Sequence, residues 1–166
     1  MTRQDIFITS KIPVYDPVGP TLVNCREGLE VVSITTFNIS LFFFQQILSE
    51  LNTEYLDLIL IHSPPDTVDA RNSAWRCLEE FYEAGKTRAI GVSNYEIHHL
   101  EELSMVSKVK PHVNQIYYNP LVSVHQFDLV NYCSNHNIHI TSYTSLGRTS
   151  PNLLLINPAL HKIANR

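Results

Sequence analysis

The stretch "LDLILIHSPPD", residues 56–66, contains the most strand-like run of this chain. Leu56 to Ile61 are mostly apolar and branched, and the run has the length of a buried strand. His62 follows directly, and Pro64 and Pro65 then stop the chain from continuing in helix or sheet. An imidazole at the end of a buried strand either bonds a loop carbonyl as a cap or belongs to a binding site.

Four further runs share this strand length and the content of β-branched or aromatic residues. The five predicted strands are "DIFITS" (5–10), "LDLILIH" (56–62), "TRAIGVS" (87–93), "HVNQIYY" (112–118) and "IHITSY" (138–143). Helix-like segments lie between them, at 21–30 continuing through 46–51, then at 73–84, 96–106 and 124–135. Strands that alternate with helices across short loops predict βα units around a parallel sheet.

Two architectures contain such a sheet, namely a doubly wound open sheet and a (β/α)₈ barrel. Doubly wound nucleotide-binding proteins usually carry GxGxxG after the first strand. The five glycines of this chain, at positions 19, 28, 85, 91 and 147, do not form that pattern. The sequence therefore favours the barrel, with the doubly wound sheet as the alternative.

Composition predicts a globular domain without a polyanionic partner. The 166 residues carry 12 Lys and Arg against 16 Asp and Glu, and the basic residues form no stripe, so we expect no nucleic acid partner. Cys25, Cys77 and Cys133 show no CxxC or Cys/His metal spacing, which predicts reduced core thiols, a cytoplasmic location and no metal. No signal peptide is visible, and the uncharged run 31–49 holds too many polar residues for a membrane span.

Polar side chains cluster at the carboxyl-terminal end of each predicted strand. In strand order they are Lys11, His62, Ser93 with Asn94, Gln115 and Tyr143. The carboxyl ends of parallel barrel strands share one face, where the active sites of βα barrels are built. We therefore expect these side chains to line one open cavity.

Each of these residues also fits a structural role when it is taken alone. Lys11 fits a solvated loop lysine, and Ser93 with Asn94 fits an N-cap for the helix that begins near residue 96. Gln115 fits a bond to a neighbouring strand, and Tyr143 fits a core aromatic residue with a solvated hydroxyl. Convergence of five strand ends is harder to explain by structure alone.

The same segments, read in order, resemble the aldo-keto reductase family. The matching stretches are "IFITSK" (6–11), "LNTEYLDLILIHSP" (51–64), "LEEFYEAGKTRAIGVSNY" (78–95), "NQIYYNPL" (114–121) and "TSYTSLG" (141–147). The resemblance implies one partial TIM-type (β/α)₈ barrel over 1–166, with about five βα units. It also implies reduction of small aldehydes and ketones with NADPH, without a metal, by a protein that is monomeric when intact.

The resemblance assigns catalytic roles to two of the clustered residues. In this family a hydride passes from the nicotinamide to the carbonyl carbon, and a tyrosine hydroxyl protonates the oxygen. A phenol with a pKa near 10 is a poor acid at neutral pH unless a nearby cation lowers that pKa. Lys11 matches the family lysine that does so, and His62 matches the histidine that orients the substrate carbonyl.

The resemblance also implies a set of residues that hold the cofactor. They are Ser93, Asn94 and Gln115 at the nicotinamide carboxamide, Tyr143 stacked on the ring, and Thr144, Ser145 and Leu146 near the diphosphate. The cofactor supplies the hydride chemistry, whereas the protein supplies its placement.

This chain departs from the family pattern in several places. In the family, the catalytic tyrosine and the aspartate that pairs with the lysine precede the counterpart of "IFITSK", and a later strand carries the basic residues that bind the 2′-phosphate. Half of the catalytic tetrad is therefore present, and we expect these 166 residues alone to be inactive. Further departures are Ile12 with Pro13, Ser63, Tyr117, Asn119, and Ser145 in place of proline. Neither the substrate nor the preference for NADP over NAD follows from the resemblance.

Residues 31–45, "VVSITTFNISLFFFQ", interrupt what the pattern predicts as one amphipathic helix. They are rich in β-branched and aromatic residues, which favour extended structure. Without them, "REGLE" joins "QILSEL" at helical spacing. We expect either a poorly ordered excursion or a helical extension with an uncovered apolar face. A family-specific loop and a retained intron both explain an insertion here, and Val-Ser and Phe-Phe-Phe-Gln permit codons that resemble intron ends.

Two functions from different classes follow. The first is NADPH-dependent carbonyl reduction by the intact protein, with Lys11 and His62 in the catalytic site. The second is a non-catalytic fragment or relative that acts as a scaffold or binding protein. A "DTAxxYxxE"-like segment upstream of residue 1 would distinguish the first from the second.

Overall fold

Five parallel strands form one sheet in the computed structural model, which describes residues 2–13, 36–148 and 154–165. The strands are β1 (Thr9–Ile12), β2 (Leu58–Ile61), β3 (Ile90–Ser93), β4 (Val113–Tyr117) and β5 (His139–Tyr143). Each strand pairs in parallel with the next strand along the chain. This sequential order is that of a (β/α)₈ barrel, whereas a doubly wound sheet reverses its order at a switch point. The strand order therefore argues against the doubly wound alternative.

Helices follow the strands with shifted boundaries, and the last of them was not predicted. They are α1 (Thr36–Glu50), α2 (Val68–Glu83), α3 (Ile97–Ser104), α4 (Phe127–Asn135) and α5 (Pro158–Ala164). Helix α2 begins five residues before the predicted position 73 because the Thr67 side chain accepts a hydrogen bond from the Ala70 N–H. Gly85, with φ +67°, ends it in the left-handed conformation.

The core lies between the sheet and its helices. Every second strand residue faces this layer, so Ile12, Ile59, Ile61, Ile90, Val92 and Ile116 are buried. They pack with Trp75 and Leu78 of α2 and with Leu100 of α3. The opposite face of the sheet also buries Leu58, Leu60 and Ser93.

The described residues bear on two expectations from composition. Cys77 and Cys133 are buried in the core, as predicted, whereas Cys25 lies outside the described residues. Among the helices of the described part of the chain, none combines the length and the apolar character that crossing a membrane requires.

The first strand begins later than predicted. Residues Arg3–Asp5 form a 3₁₀ turn, in which the Asp5 carboxylate accepts hydrogen bonds from the Thr2 N–H at 2.6 Å and the Thr2 hydroxyl at 3.1 Å. Arg3 also donates to the Thr53 hydroxyl at 2.9 Å. These contacts hold the start of the chain in a turn, so the strand prediction for 5–10 is wrong over residues 5–8, and the strand continues to Ile12.

For the part of 31–45 that the structure describes, the expected helical extension is confirmed, whereas its apolar face is covered in part. Residues 36–45 belong to helix α1. The Phe44 side chain is 2% exposed and stacks on Phe81 of α2, with ring centroids 4.1 Å apart. Residues 31–35 and the predicted helix at 21–30 lie outside the described residues. The origin of the segment stays a prediction, which transcript sequencing tests.

Candidate active site

The register of the sheet places the predicted residues on one face. One line of paired residues runs across it through Lys11, Leu60, Gly91, Val113 and His139. Residues two positions further along a strand lie on the same face. The next lines on this face therefore hold His62, Ser93 and Gln115, and then Tyr143. All of them lie towards the carboxyl ends of their strands.

Hydrogen bonds connect five of the predicted residues. The Tyr143 hydroxyl donates to Asn94 Oδ1 at 2.8 Å, and Asn94 Nδ2 donates to the His62 carbonyl at 3.1 Å and to Ser93 Oγ at 3.2 Å. The Ser93 hydroxyl in turn donates to the Gln115 carbonyl at 2.8 Å. The network thus joins the carboxyl ends of β2, β3, β4 and β5.

Asn94 reaches this network because its backbone turns at the end of β3. Its φ of +62° lies in the left-handed region, which asparagine tolerates better than most residues. The N-cap of α3 is Glu96, whose N–H donates to His99 Nδ1 at 3.2 Å. Asn94 and Ser93 therefore do not cap that helix, and the structural alternative for this pair is wrong.

Lys11 is the cation of the site. Its ammonium lies 5.7 Å from the centroid of the Tyr143 ring, within the range of a cation–π contact. Partial burial lowers its pKa because a less polar environment disfavours the charged form. Among the described residues, no carboxylate pairs with it. The Lys11 side chain belongs to β1 and is half-buried, so it differs from a fully solvated loop lysine.

The chemistry of the unused donors fits a nicotinamide cofactor. Within the described part of the chain, the Lys11 ammonium, the exposed His62 imidazole and the Gln115 carboxamide make no hydrogen bond through their side chains. The Lys11 ammonium lies over the aromatic ring of Tyr143, which offers a flat surface for an aromatic ligand. Asn94 fits less directly, because both N–H groups of its amide already donate within the protein.

The turn after β5 holds the remaining predicted residues. Thr144 has a φ of +52°, and its hydroxyl donates to the Tyr143 carbonyl at 2.7 Å. Ser145 Oγ lies 2.8 Å from Ser142 Oγ, whereas the Leu146 side chain is 68% exposed. The turn thus lies at the same edge of the sheet as Lys11 and His62.

Tyr117 lies in the site and Ser142 lies behind it, although neither of them was assigned a role there from the sequence. The Tyr117 ring lies 5.8 Å from that of Tyr143, its direct partner across the β4–β5 register. Strand alternation was the available signal, because it places Tyr117 on the same face as Gln115. Ser142 gave no such signal, since it lies on the opposite face from Tyr143.

Comparison with known proteins identifies relatives of this chain. Glyoxal reductase of Bacillus subtilis is 36% identical over 166 residues, which cover 100% of this chain and 51% of that protein. The NADPH-dependent alpha-keto amide reductase of Saccharomyces cerevisiae is 35% identical over 149 residues, which cover 87% of this chain and 42% of that protein. The chain therefore spans about half the length of the curated relatives it matches.

Solved structures confirm the predicted barrel type. MGS-M4, an aldo-keto reductase enzyme from a Medee basin deep-sea metagenome library, matches with a TM-score of 0.80 at 33% identity. The match covers 99% of this chain and 53% of that chain, as expected for a partial (β/α)₈ barrel. Residues 2–151 also match the model of the Aldo/keto reductase family. This chain belongs to the aldo/keto reductase family.

Proposed function

We propose that the full-length protein containing this chain reduces small aldehydes or ketones with NADPH. The observation that carries the proposal is the group at the carboxyl edge of the sheet. There, the Lys11 ammonium and the unpartnered His62 imidazole lie beside the Tyr143–Asn94–Ser93 hydrogen-bond network. The names of relatives with glyoxal reductase and NADPH-dependent reductase activity support the same reaction class.

His62 is suited to orient a carbonyl oxygen. Its backbone is fixed by a hydrogen bond from its N–H to the Ile12 carbonyl at 3.1 Å and by the bond that its own carbonyl accepts from Asn94. The ring remains exposed and free to donate a hydrogen bond to a substrate oxygen. Such a donor stabilises the negative charge that develops on that oxygen when a hydride is added to the carbon. NADPH supplies that hydride when it is bound.

Lys11 contributes positive charge beside the same position. An unpaired ammonium stabilises a developing alkoxide and lowers the pKa of a phenol placed within a few ångströms. Its lowered pKa means that its own proton is held less tightly than that of a solvated lysine. In this proposal Lys11 tunes the proton donor and His62 holds the substrate, so the two residues have separate roles.

The proposal is tested on the full-length protein with NADPH and a dicarbonyl probe such as glyoxal. His62→Ala should lower kcat by about 10² to 10⁴-fold. The NADPH dissociation constant should change much less, because His62 is assigned to the substrate. His98→Ala is the matched control, since its side chain is 58% exposed on α3, and it should leave turnover unchanged. Equal activity of His62→Ala and wild type would contradict the assignment.

A scaffold or binding protein is the second candidate. The observation that favours it is Asn94, because both donors of its amide are engaged by His62 and Ser93 and its oxygen accepts from Tyr143. A carboxamide oxygen of a cofactor would have to displace one of the two bonds that Nδ2 donates, whereas Oδ1 keeps a second lone pair. Absence of NADPH binding by the full-length protein, measured by fluorescence quenching, would favour this second function.

A further inference from the structure

Ser142 lies one residue before Tyr143 in β5 and is paired with Ile116 in the register. Because alternate strand residues point to opposite faces, Ser142 lies on the face away from Lys11 and Tyr143. Its hydroxyl donates to the Tyr118 carbonyl at the end of β4 and lies 2.8 Å from Ser145 Oγ. It therefore links the end of one strand to the turn that follows the next.

The direction of these bonds follows from proton counting. A serine hydroxyl has one hydrogen to donate. Since Ser142 spends its hydrogen on the Tyr118 carbonyl, the bond between the two serines requires Ser145 to donate to Ser142. The hydrogen of Ser145 is then also spent. We call this pair of bonds, from Ser145 to Ser142 and from Ser142 to the Tyr118 carbonyl, the serine relay. While the relay is intact, Ser145 Oγ cannot donate a hydrogen bond to a phosphate oxygen.

A second link runs between the same two loops through Asn119. Its side chain is buried, with 3% exposure of the residue. Asn119 Nδ2 donates to the Thr144 carbonyl at 3.4 Å, while Oδ1 accepts from the Leu121 N–H at 3.0 Å. The Gly147 N–H also donates to the Thr144 carbonyl, at 2.9 Å. Several bonds thus converge on one turn.

The conformation of Thr144 explains why the turn needs these links. A β-branched residue at φ +52° is in a sparsely populated region. Such a conformation persists where surrounding contacts hold it in place, and it is common where a loop must present a ligand site. Proline at 145 would oppose this conformation, since the residue before a proline is displaced from the α regions. Serine at 145 permits it.

We propose that Ser142, together with Asn119, is a positioning residue for the cofactor. The relay from Ser145 through Ser142 to the Tyr118 carbonyl clamps the Thr144–Leu146 turn to β4 and fixes the Tyr143 ring next to it. Ser142 acts through these groups and does not touch the ligand, because it lies on the other face of the strand. The assignment rests on the proposed function, since Tyr143 and the turn are the predicted cofactor contacts.

The relay itself is tested without any cofactor. In the full-length protein, Ser142→Ala removes both hydroxyl bonds and Ser145→Ala removes one. Hydrogen exchange of the amides at 144–147 should therefore quicken by roughly tenfold in Ser142→Ala and roughly threefold in Ser145→Ala. Ser142→Thr keeps a hydroxyl and should retain at least part of the protection. Exchange in the strand amides of β2 should stay unchanged in every variant, which shows that the fold is intact.

The positioning role is tested with NADPH. Ser142→Ala should weaken NADPH binding by roughly fivefold or more and raise the KM for NADPH by a similar factor, with kcat changed less than twofold. Ser142→Thr should restore much of the affinity. Unchanged exchange at 144–147 in Ser142→Ala would overturn the relay, and faster exchange with unchanged NADPH affinity would overturn the positioning role. If wild type does not bind NADPH, the proposed function and the positioning role both fail, whereas the exchange result still decides the relay.

Discussion

The two ends of the sheet hold their cations in opposite ways. At the amino-terminal end, Asp57 pairs with Arg3 at 2.8 Å and with Arg88 at 3.2 Å, and both guanidinium groups lie over the Tyr55 ring, at 4.0 and 4.4 Å. At the carboxyl-terminal end, Lys11 lies near an aromatic ring without a carboxylate partner among the described residues. One end pairs its guanidinium groups with a buried carboxylate, whereas the other leaves its ammonium without a carboxylate partner among the described residues.

The difference separates stability from chemistry. Asp57 is 3% exposed, and burial alone raises its pKa. The Ile8 N–H and the guanidinium groups of Arg3 and Arg88 outweigh that effect and hold the pKa below its ordinary value. A barrel builds its active site at the carboxyl end of the strands, whereas residues at the other end contribute mainly to stability. The charge pattern follows that division.

The largest expected effect on stability is at the amino-terminal end of the sheet, where Asp57 pairs with two arginines. Asp57→Ala should lower the free energy of unfolding of the full-length protein by about 3 to 5 kcal/mol, because it leaves the Ile8 N–H without an acceptor and removes the carboxylate that pairs with Arg3 and Arg88. Glu54→Ala is the matched control, since Glu54 is an exposed acidic neighbour. Urea denaturation measures both variants, and equal loss in the two would show that the Asp57 network adds no stability.

Packing in the helix layer involves no charged group, so it can be compared with the charged groups at the two ends of the sheet. Phe44→Ala should cost about 3 kcal/mol, because Phe44 is buried against Phe81 and its removal leaves a cavity. Phe42→Ala should cost much less, since Phe42 is 56% exposed. Thermal denaturation compares the two variants. If the two variants lose the same stability, or if Phe44→Ala gains stability, the Phe44 side chain is not packed against α2.

The hydrogen bonds and ion pairs of Asp57 also predict how the stability of the protein depends on pH. Because the pKa of Asp57 is lower in the folded state, its contribution to stability is present above its unfolded pKa, about 3.9, and is lost as the pH falls through the folded value. Stability of the wild type should therefore fall below about pH 4 more steeply than that of Asp57→Asn. Parallel curves for the two proteins, from urea denaturation across this range, would contradict the assignment.

The smallest expected effect on stability is at the carboxyl-terminal end of the sheet, where Lys11 lies. Lys11→Met should leave the free energy of unfolding within about 0.5 kcal/mol of wild type, because the ammonium pairs with no carboxylate of the described residues and its partial burial already disfavours the charge. Urea denaturation of Lys11→Met beside Asp57→Ala makes the comparison direct. A loss above about 2 kcal/mol would mean that Lys11 holds the structure together and that the two ends do not differ.

Short-range patterns predicted much of the carboxyl end. Lys11, His62 and Tyr143 were recognisable as strand-end residues because a parallel sheet collects the carboxyl ends of its strands at one edge. The length and branching of "LDLILIH" (56–62) identified β2, which is shorter than predicted and spans Leu58–Ile61. Local composition was less reliable for α1, where tertiary contact of Phe44 with Phe81 overrides the preference of the segment for extended structure.

The amino-terminal network could not be predicted, because its partners are far apart along the chain. Asp57 lies 54 residues from Arg3 and 31 from Arg88. In "LDLIL" it occupies a position where the alternation of a strand allows either a solvated or a buried side chain. Only its long-range partners explain why an aspartate is buried there.

Sequence alone determined the alternation of strands and helices, the family, and which polar residues end each strand. These features depend on neighbours in the chain, whose spacing is visible in the letters. The tertiary structure decided the sequential order of the sheet, the turn of Asn94 away from the α3 cap, the relay through Ser142 and the burial of Phe44. Each of these depends on contacts between residues that meet only after the strands and helices have packed.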